Sequence, residues 1–138
     1  MKSELVEENE KNIRILATAY TMAQEHGKAI DAWRRASKYA EDGEVYYRLA
    51  QALANEDRHK EAAVAYNDAL TAGELNDAED VQFWLGISLM QTRDWSDAEN
   101  AFKAAAKDKD RAKSSRQYIR YINSERKRLA ALKEMVEG

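Results

Sequence analysis

The sequence predicts an all-α fold built from paired antiparallel helices, and three observations carry that prediction. The 138 residues include no Pro, no Cys and only five Gly, so most of the turn chemistry of sandwiches and barrels is missing. Ala, Glu, Lys, Arg, Leu and Gln fill much of the remainder, a helix-forming mixture. A six-position pattern of small and large residues also recurs three times, at the length of a helix pair.

The pattern is clearest around Gly86. Leu85 stands one residue before it, Leu89 three after, Ala98 twelve after, Phe102 four beyond that and Ala105 three further. The same ruler laid on Ala50 finds Leu49, Leu53, Ala62, Tyr66 and Ala69; laid on Ala17 it finds Leu16, Tyr20, Ala29, Trp33 and Ala36. The anchors lie 33 and 36 residues apart. These residues resemble the tetratricopeptide repeat (TPR) in their order of Leu-small, aromatic and Ala positions. The resemblance implies three helix pairs stacked as a right-handed α-α superhelix. Small residues would let the paired axes approach, and Trp33, Tyr66 and Phe102 would fill the space between one pair and the next.

Helices are expected over 4–24, 28–41, 44–55, 59–72, 78–92 and 95–108. The repeats then run over about 10–42, 43–76 and 79–110 of a single domain, 1–138. Gly27, Gly43 and Gly73 fall where a helix end favours a left-handed residue. Asn76 or Asp77 is placed to cap the fifth helix. Residues 110–136 read as one long capping helix with a stripe of Tyr118, Ile122, Leu129, Leu132 and Val136. Its first half is expected to close the last repeat; its second half either frays or offers a seam to another helix.

No catalytic constellation emerges, so the expectation is a non-enzymatic protein with no cofactor and no metal. His26 and His59 occupy one repeat position, that of Trp95 in the third copy, which explains them better than acid-base work. The carboxylate pairs gather at turns and helix starts, where acids complement the helix dipole. There is no phosphate loop, zinc spacing or nucleophile elbow, and no apolar run approaches a membrane span.

Charge is divided along the chain. Residues 1–102 carry −9, residues 103–133 carry +8, and Glu134 and Glu137 bring the total to −3. The basic segment either compensates nearby acids or meets an acidic partner; a nucleic acid is disfavoured by the acidic remainder.

The TPR resemblance implies that the first helix of each pair lines a concave groove that holds a protein or peptide partner. The ruler places Arg14, Thr18 and Thr21 there from the first copy. Tyr47, Gln51 and Asn55 come from the second and Phe83, Ile87, Met90 and Gln91 from the third, with Arg48 and Trp84 at the margin. Arg116 and Arg120 of the closing helix join them as candidate partner-binding residues. Phe83, Ile87 and Met90 are either covered by the closing helix or open to a partner. Some family members clamp an acidic C-terminal tail with Lys, Asn and Arg; Arg14 could imitate one Lys, but Thr18, Arg48, Asp80 and Trp84 do not fit that set.

A narrower resemblance spans Asp42 to Arg128. The run Asp42-Gly43-Glu44-Val45-Tyr46-Tyr47-Arg48-Leu49-Ala50-Gln51, the stretch Ala69-Leu70-Thr71-Ala72-Gly73-Glu74-Leu75, the Leu85-Gly86 helix and the closing Arg116-Gln117-Tyr118-Ile119-Arg120-Tyr121-Ile122-Asn123-Ser124-Glu125-Arg126 are similar to bacterial TPR proteins that accompany TonB, ExbB and ExbD. That resemblance implies a periplasmic adaptor of an energy-transduction system, of which this chain would be a C-terminal fragment. Leu5 and Val6 would then lie on a face able to self-associate, as would the C-terminal helix. The alternatives are a cytoplasmic TPR adaptor or co-chaperone, and an anionic-surface or nucleic-acid binder working through the basic helix.

Overall fold

The structure, a computed structural model, describes residues 9–138. Among the described residues there are seven helices and no strand: α1 (Glu10–Met22), α2 (His26–Ser37), α3 (Glu44–Asn55), α4 (His59–Ala72), α5 (Ala78–Gln91), α6 (Trp95–Ala105) and α7 (Lys109–Glu137). This is the expected all-α repeat architecture. The part of the first helix expected over 4–8, with Leu5 and Val6, lies outside the described residues.

The chain forms two compact units, Met1–Asn76 and Asp77–Gly138. In the first, α1 packs on α2, α2 on α3 and α3 on α4. Ala17, Ala29, Ala36, Ala50, Ala62 and Ala69 are fully or almost fully buried, as close approach of the axes requires. Trp33 and Tyr66 are buried among them. Leu16 departs from its repeat equivalent: it is 38% exposed where Leu49 is 6% exposed. Leu49 lies on α3, which α2 covers, whereas α1 packs chiefly on α2 alone.

In the second unit α5 packs on α6, and α7 lies against both. The core is Phe83, Ala98, Phe102, Ala105 and Ile122. Gly86 is needed at the α5–α6 crossing, because a Cβ there would come within 2.9 Å of the Phe102 ring.

Each pair turns through one device. Gln24, Asp57 and Arg93 stand seven residues after Ala17, Ala50 and Gly86, and each has a positive φ, between 58° and 64°. The next residue's N–H reaches back five residues: Glu25 to Tyr20 O, Arg58 to Leu53 O and Asp94 to Leu89 O, all at 2.9 Å. This left-handed closure satisfies the last carbonyls of the first helix of each pair.

Two of the three glycine expectations are corrected by this arrangement. Gly27 lies inside the first turn of α2, and Gly43 has a right-handed φ of −80°. Only Gly73 takes a positive φ, at 75°. Because Gln, Asp and Arg each bear the strain of a left-handed backbone, Gln24→Gly should stabilise the first unit by about 0.5–1 kcal/mol, read as a rise in its thermal midpoint.

Helix ends differ from the expected ones by a few residues. After Ser37 the chain tightens into i to i−3 bonds (Tyr39 N to Ala36 O, Ala40 N to Ser37 O), and after Ala105 it does the same (Asp108 N to Ala105 O). Asp77 caps α5, its carboxylate accepting the Asp80 N–H at 3.0 Å, and Asp108 caps α7 through the Asp110 N–H at 2.9 Å. His26 and His59 open α2 and α4 as Trp95 opens α6. At 29 residues α7 is about 43 Å long.

Candidate functional site

On the first unit the candidate face is carried by α1 and α3. Thr18 is exposed, but Arg14 leans on Asp42 at 3.6 Å. Thr21 is committed to the fold: its hydroxyl donates to Ala17 O at 2.9 Å and accepts the Trp33 indole N–H at 3.1 Å. Tyr47, Gln51 and Asn55 follow one another at four-residue spacing along one face of α3. Tyr47 has its ring 6.1 Å from Tyr66, and exposed Arg48 donates to Gln51 Oε1 at 3.3 Å.

On the second unit the structure brings α5 and α7 together around a groove of about 500 Å³. Phe83, Met90 and Gln91 contribute from α5; Ser114, Gln117, Tyr118 and Tyr121 contribute from α7. The last four recur at i, i+3, i+4 and i+7, so one helical face supplies that wall. The aromatic floor is held from below. Tyr118 stacks on Phe102 at 5.0 Å, and Phe83 meets Phe102 and Tyr118 edge-on at 5.6 and 5.9 Å.

Arg111 fastens the other edge of this contact. Its Nε donates to Asp80 Oδ1 at 2.7 Å and a second guanidinium nitrogen donates to the same oxygen. The guanidinium carbon stands 4.4 Å above the Phe83 ring and 5.5 Å from that of Trp84. Asp80 and Trp84, which do not fit a tail clamp by sequence, therefore serve the α5–α7 junction.

The candidates fare differently. Met90 and Gln91 line the groove, while Phe83 lines it as a floor residue only 5% exposed. Ile87 packs against the core and does not line the groove. Arg116 and Arg120 are exposed on α7 and do not line this groove. Ser114, Gln117, Tyr118 and Tyr121 line the groove without having been among the sequence candidates. Their signal is the i, i+3, i+4, i+7 spacing they share, once α7 is taken as the groove's second wall.

The groove lining has no carboxylate, amine or imidazole. Two Gln amides and a Ser hydroxyl can each donate and accept, and the phenols add two more such groups above an apolar floor. That chemistry suits a neutral chain segment with an apolar side chain. Among the described residues no group of three or more His, Cys, Asp or Glu could hold a metal ion, and no helix is long and apolar enough to cross a membrane.

The resolved pKa shifts lie elsewhere. Glu61 is held below the usual carboxylate range by the Arg58 hydrogen bond, with Arg34 adding to it, and Glu125 is held down by the Arg128 hydrogen bond. Their partners Arg58 and Arg128 are raised correspondingly. All four are surface groups, so these pairs hold at neutral pH and loosen only as acid protonates the two carboxylates.

No family model matches the sequence, and no curated protein matches it. Among solved structures, the TPR2B-domain:pHsp70-complex of yeast Sti1 aligns with a TM-score of 0.69 and 19% identity, over 84% of this chain and 97% of that one. The TPR2AB-domain:pHSP90-complex of yeast Sti1 aligns with a TM-score of 0.69 and 19% identity, over 88% of this chain and 49% of that one. The fold is a TPR fold. At this identity the likeness is one of fold, and nothing in these comparisons supports the TonB-type link.

Proposed function

We infer that the chain is a non-enzymatic peptide-binding adaptor whose principal contact is the α5–α7 groove. The observation that carries the reading is the lining itself: an aromatic floor with an uncharged, hydrogen-bonding rim on a TPR fold. The co-chaperone-like adaptor is favoured over a TonB-system component, because the solved neighbours are TPR complexes with pHsp70 and pHSP90. The periplasmic location rests only on the TonB resemblance, so the cytoplasmic alternative goes with this reading.

The expected ligand nevertheless differs from an acidic tail. With Asp80 paired to Arg111 and no cation in the groove lining, a neutral segment with an apolar side chain is the better fit. Tyr47, Gln51 and Asn55 on α3 occupy the repeat positions of Phe83, Ile87 and Gln91, and we assign them a secondary contact role.

The test is selection from a random peptide library by the native chain, followed by titration of the enriched peptides against Gln117→Ala/Tyr121→Ala. Both residues are exposed, so the fold should persist. A loss of about tenfold or more in affinity is expected, the scale of removing a central aromatic contact. Unchanged affinity at unchanged thermal stability would place the contact elsewhere.

A further inference from the structure

The cations of α7 fall into two sets. Arg111 is paired with Asp80, Arg126 with Glu99 at 2.8 Å and with the Ser96 hydroxyl at 2.8 Å, and Arg128 with Glu125 at 2.8 Å. Lys133 aside, which falls on another face of the helix, the second set is Lys109, Lys113, Arg116, Arg120 and Lys127. All five are exposed, and among the described residues none has a carboxylate within ion-pair distance.

Their numbers place them on one ridge. At 100° per residue the five fall within about 60° of one another, along about 27 Å of helix. No acid interrupts this row, and it lies on the side of α7 away from buried Ser115 and Ile122. Lys109 and Lys113, Lys113 and Arg116, and Arg116 and Arg120 are like-charge neighbours at i+4 or i+3, an arrangement that weakens a helix on its own. An external anion would reverse that repulsion.

We propose that this ridge docks an acidic helix of a protein partner, with Glu or Asp repeating at three- and four-residue intervals. Charge complementarity decides the sign, and spacing decides the form. From Lys109 to Arg120 neighbouring cations rise about 4.5–6 Å along the axis, and Lys127 follows two turns on at about 10.5 Å, the intervals at which carboxylates recur on a helix lying alongside. A nucleic acid is the poorer occupant. The tyrosines that could stack on bases, Tyr118 and Tyr121, line the groove on another face of α7. The ridge is distinct from the peptide groove, so the two assignments stand or fall separately.

The experiment measures binding by fluorescence anisotropy at about 50 and 150 mM salt. The probes are a helical peptide of about 20 residues, long enough to span the ridge, with Glu at alternating three- and four-residue steps, its Gln counterpart, an oligonucleotide of similar length, and vesicles of anionic lipid. The Glu peptide should bind at low salt and weaken at the higher salt, and the Gln peptide should not bind. The triple variant Lys113→Gln/Arg116→Gln/Arg120→Gln should lose at least about tenfold in affinity, with helicity and thermal midpoint equal to or above the native values. Gln117→Ala/Tyr121→Ala should bind the Glu peptide normally, which separates this surface from the groove. Failure of the native chain to bind the Glu peptide, equal binding by the triple variant, or tighter binding of the oligonucleotide or vesicles would overturn the proposal.

Discussion

Phe102→Ala should cost about 3–5 kcal/mol and lower the thermal midpoint of the second unit by more than about 10 °C. The side chain is fully buried and is the hub of that unit. It fills the space above Gly86, meets Phe83 edge-on and carries the stacked ring of Tyr118. Gly86 has no side chain with which to close the cavity. The loss should extend to binding, because Phe83 and Tyr118 are the groove floor and both rest on this ring. Thermal denaturation followed by circular dichroism measures the first effect, and titration of a selected peptide measures the second. A shift of only a few degrees would mean that α5, α6 and α7 are not held by this cluster.

Gly43→Ala is the other large effect, and it acts on the first unit. Gly43 donates its N–H to Gly73 O at 2.7 Å. A Cβ at this position would overlap the Ala69 carbonyl oxygen and stand 2.8 Å from Leu75 Cδ2 and 2.9 Å from Gly73 O. Two of those neighbours are backbone, so the start of α3 must separate from the segment after α4. The expected cost is at or above the ~1–3 kcal/mol of ordinary overpacking. Gly27→Ala is the matched control. Nothing lies within 4 Å of its Cβ position, and it sits in the first turn of α2, so the change should be neutral or stabilising by about 0.5 kcal/mol. Equal midpoints for the two variants in chemical denaturation would contradict the close packing at Gly43.

These two glycines show where sequence reasoning stopped. Both punctuate helices, and a rule that associates glycine with left-handed closure treats them alike. The left-handed residues between the paired helices are Gln24, Asp57 and Arg93 instead, a recurrence visible only once the backbone is known. Helix pairing and the buried small positions were legible because they follow from spacing alone: Ala17, Ala50 and Ala98 are all completely buried. The groove was half legible. Its α5 wall follows from the ruler, but the ruler stops at Ala105 and supplies no spacings that set the register of α7. Ser114, Gln117, Tyr118 and Tyr121, which line it, were therefore not among the candidates, whereas Arg116 and Arg120, named as partner-binding residues of the closing helix, lie outside the lining. The basic segment divided in a way that composition could not show, into arginines paired with acids of the same unit and a row left unpaired.

The central claim is that the α5–α7 groove holds a peptide. Its most direct test is to follow the amide and side-chain resonances of the chain while a library-selected peptide is titrated. Perturbations should concentrate at Gln91, Ser114, Gln117 and Tyr121, including the side-chain amides of the two glutamines. Perturbations confined to other surfaces, with those four residues unmoved at saturation, would contradict it.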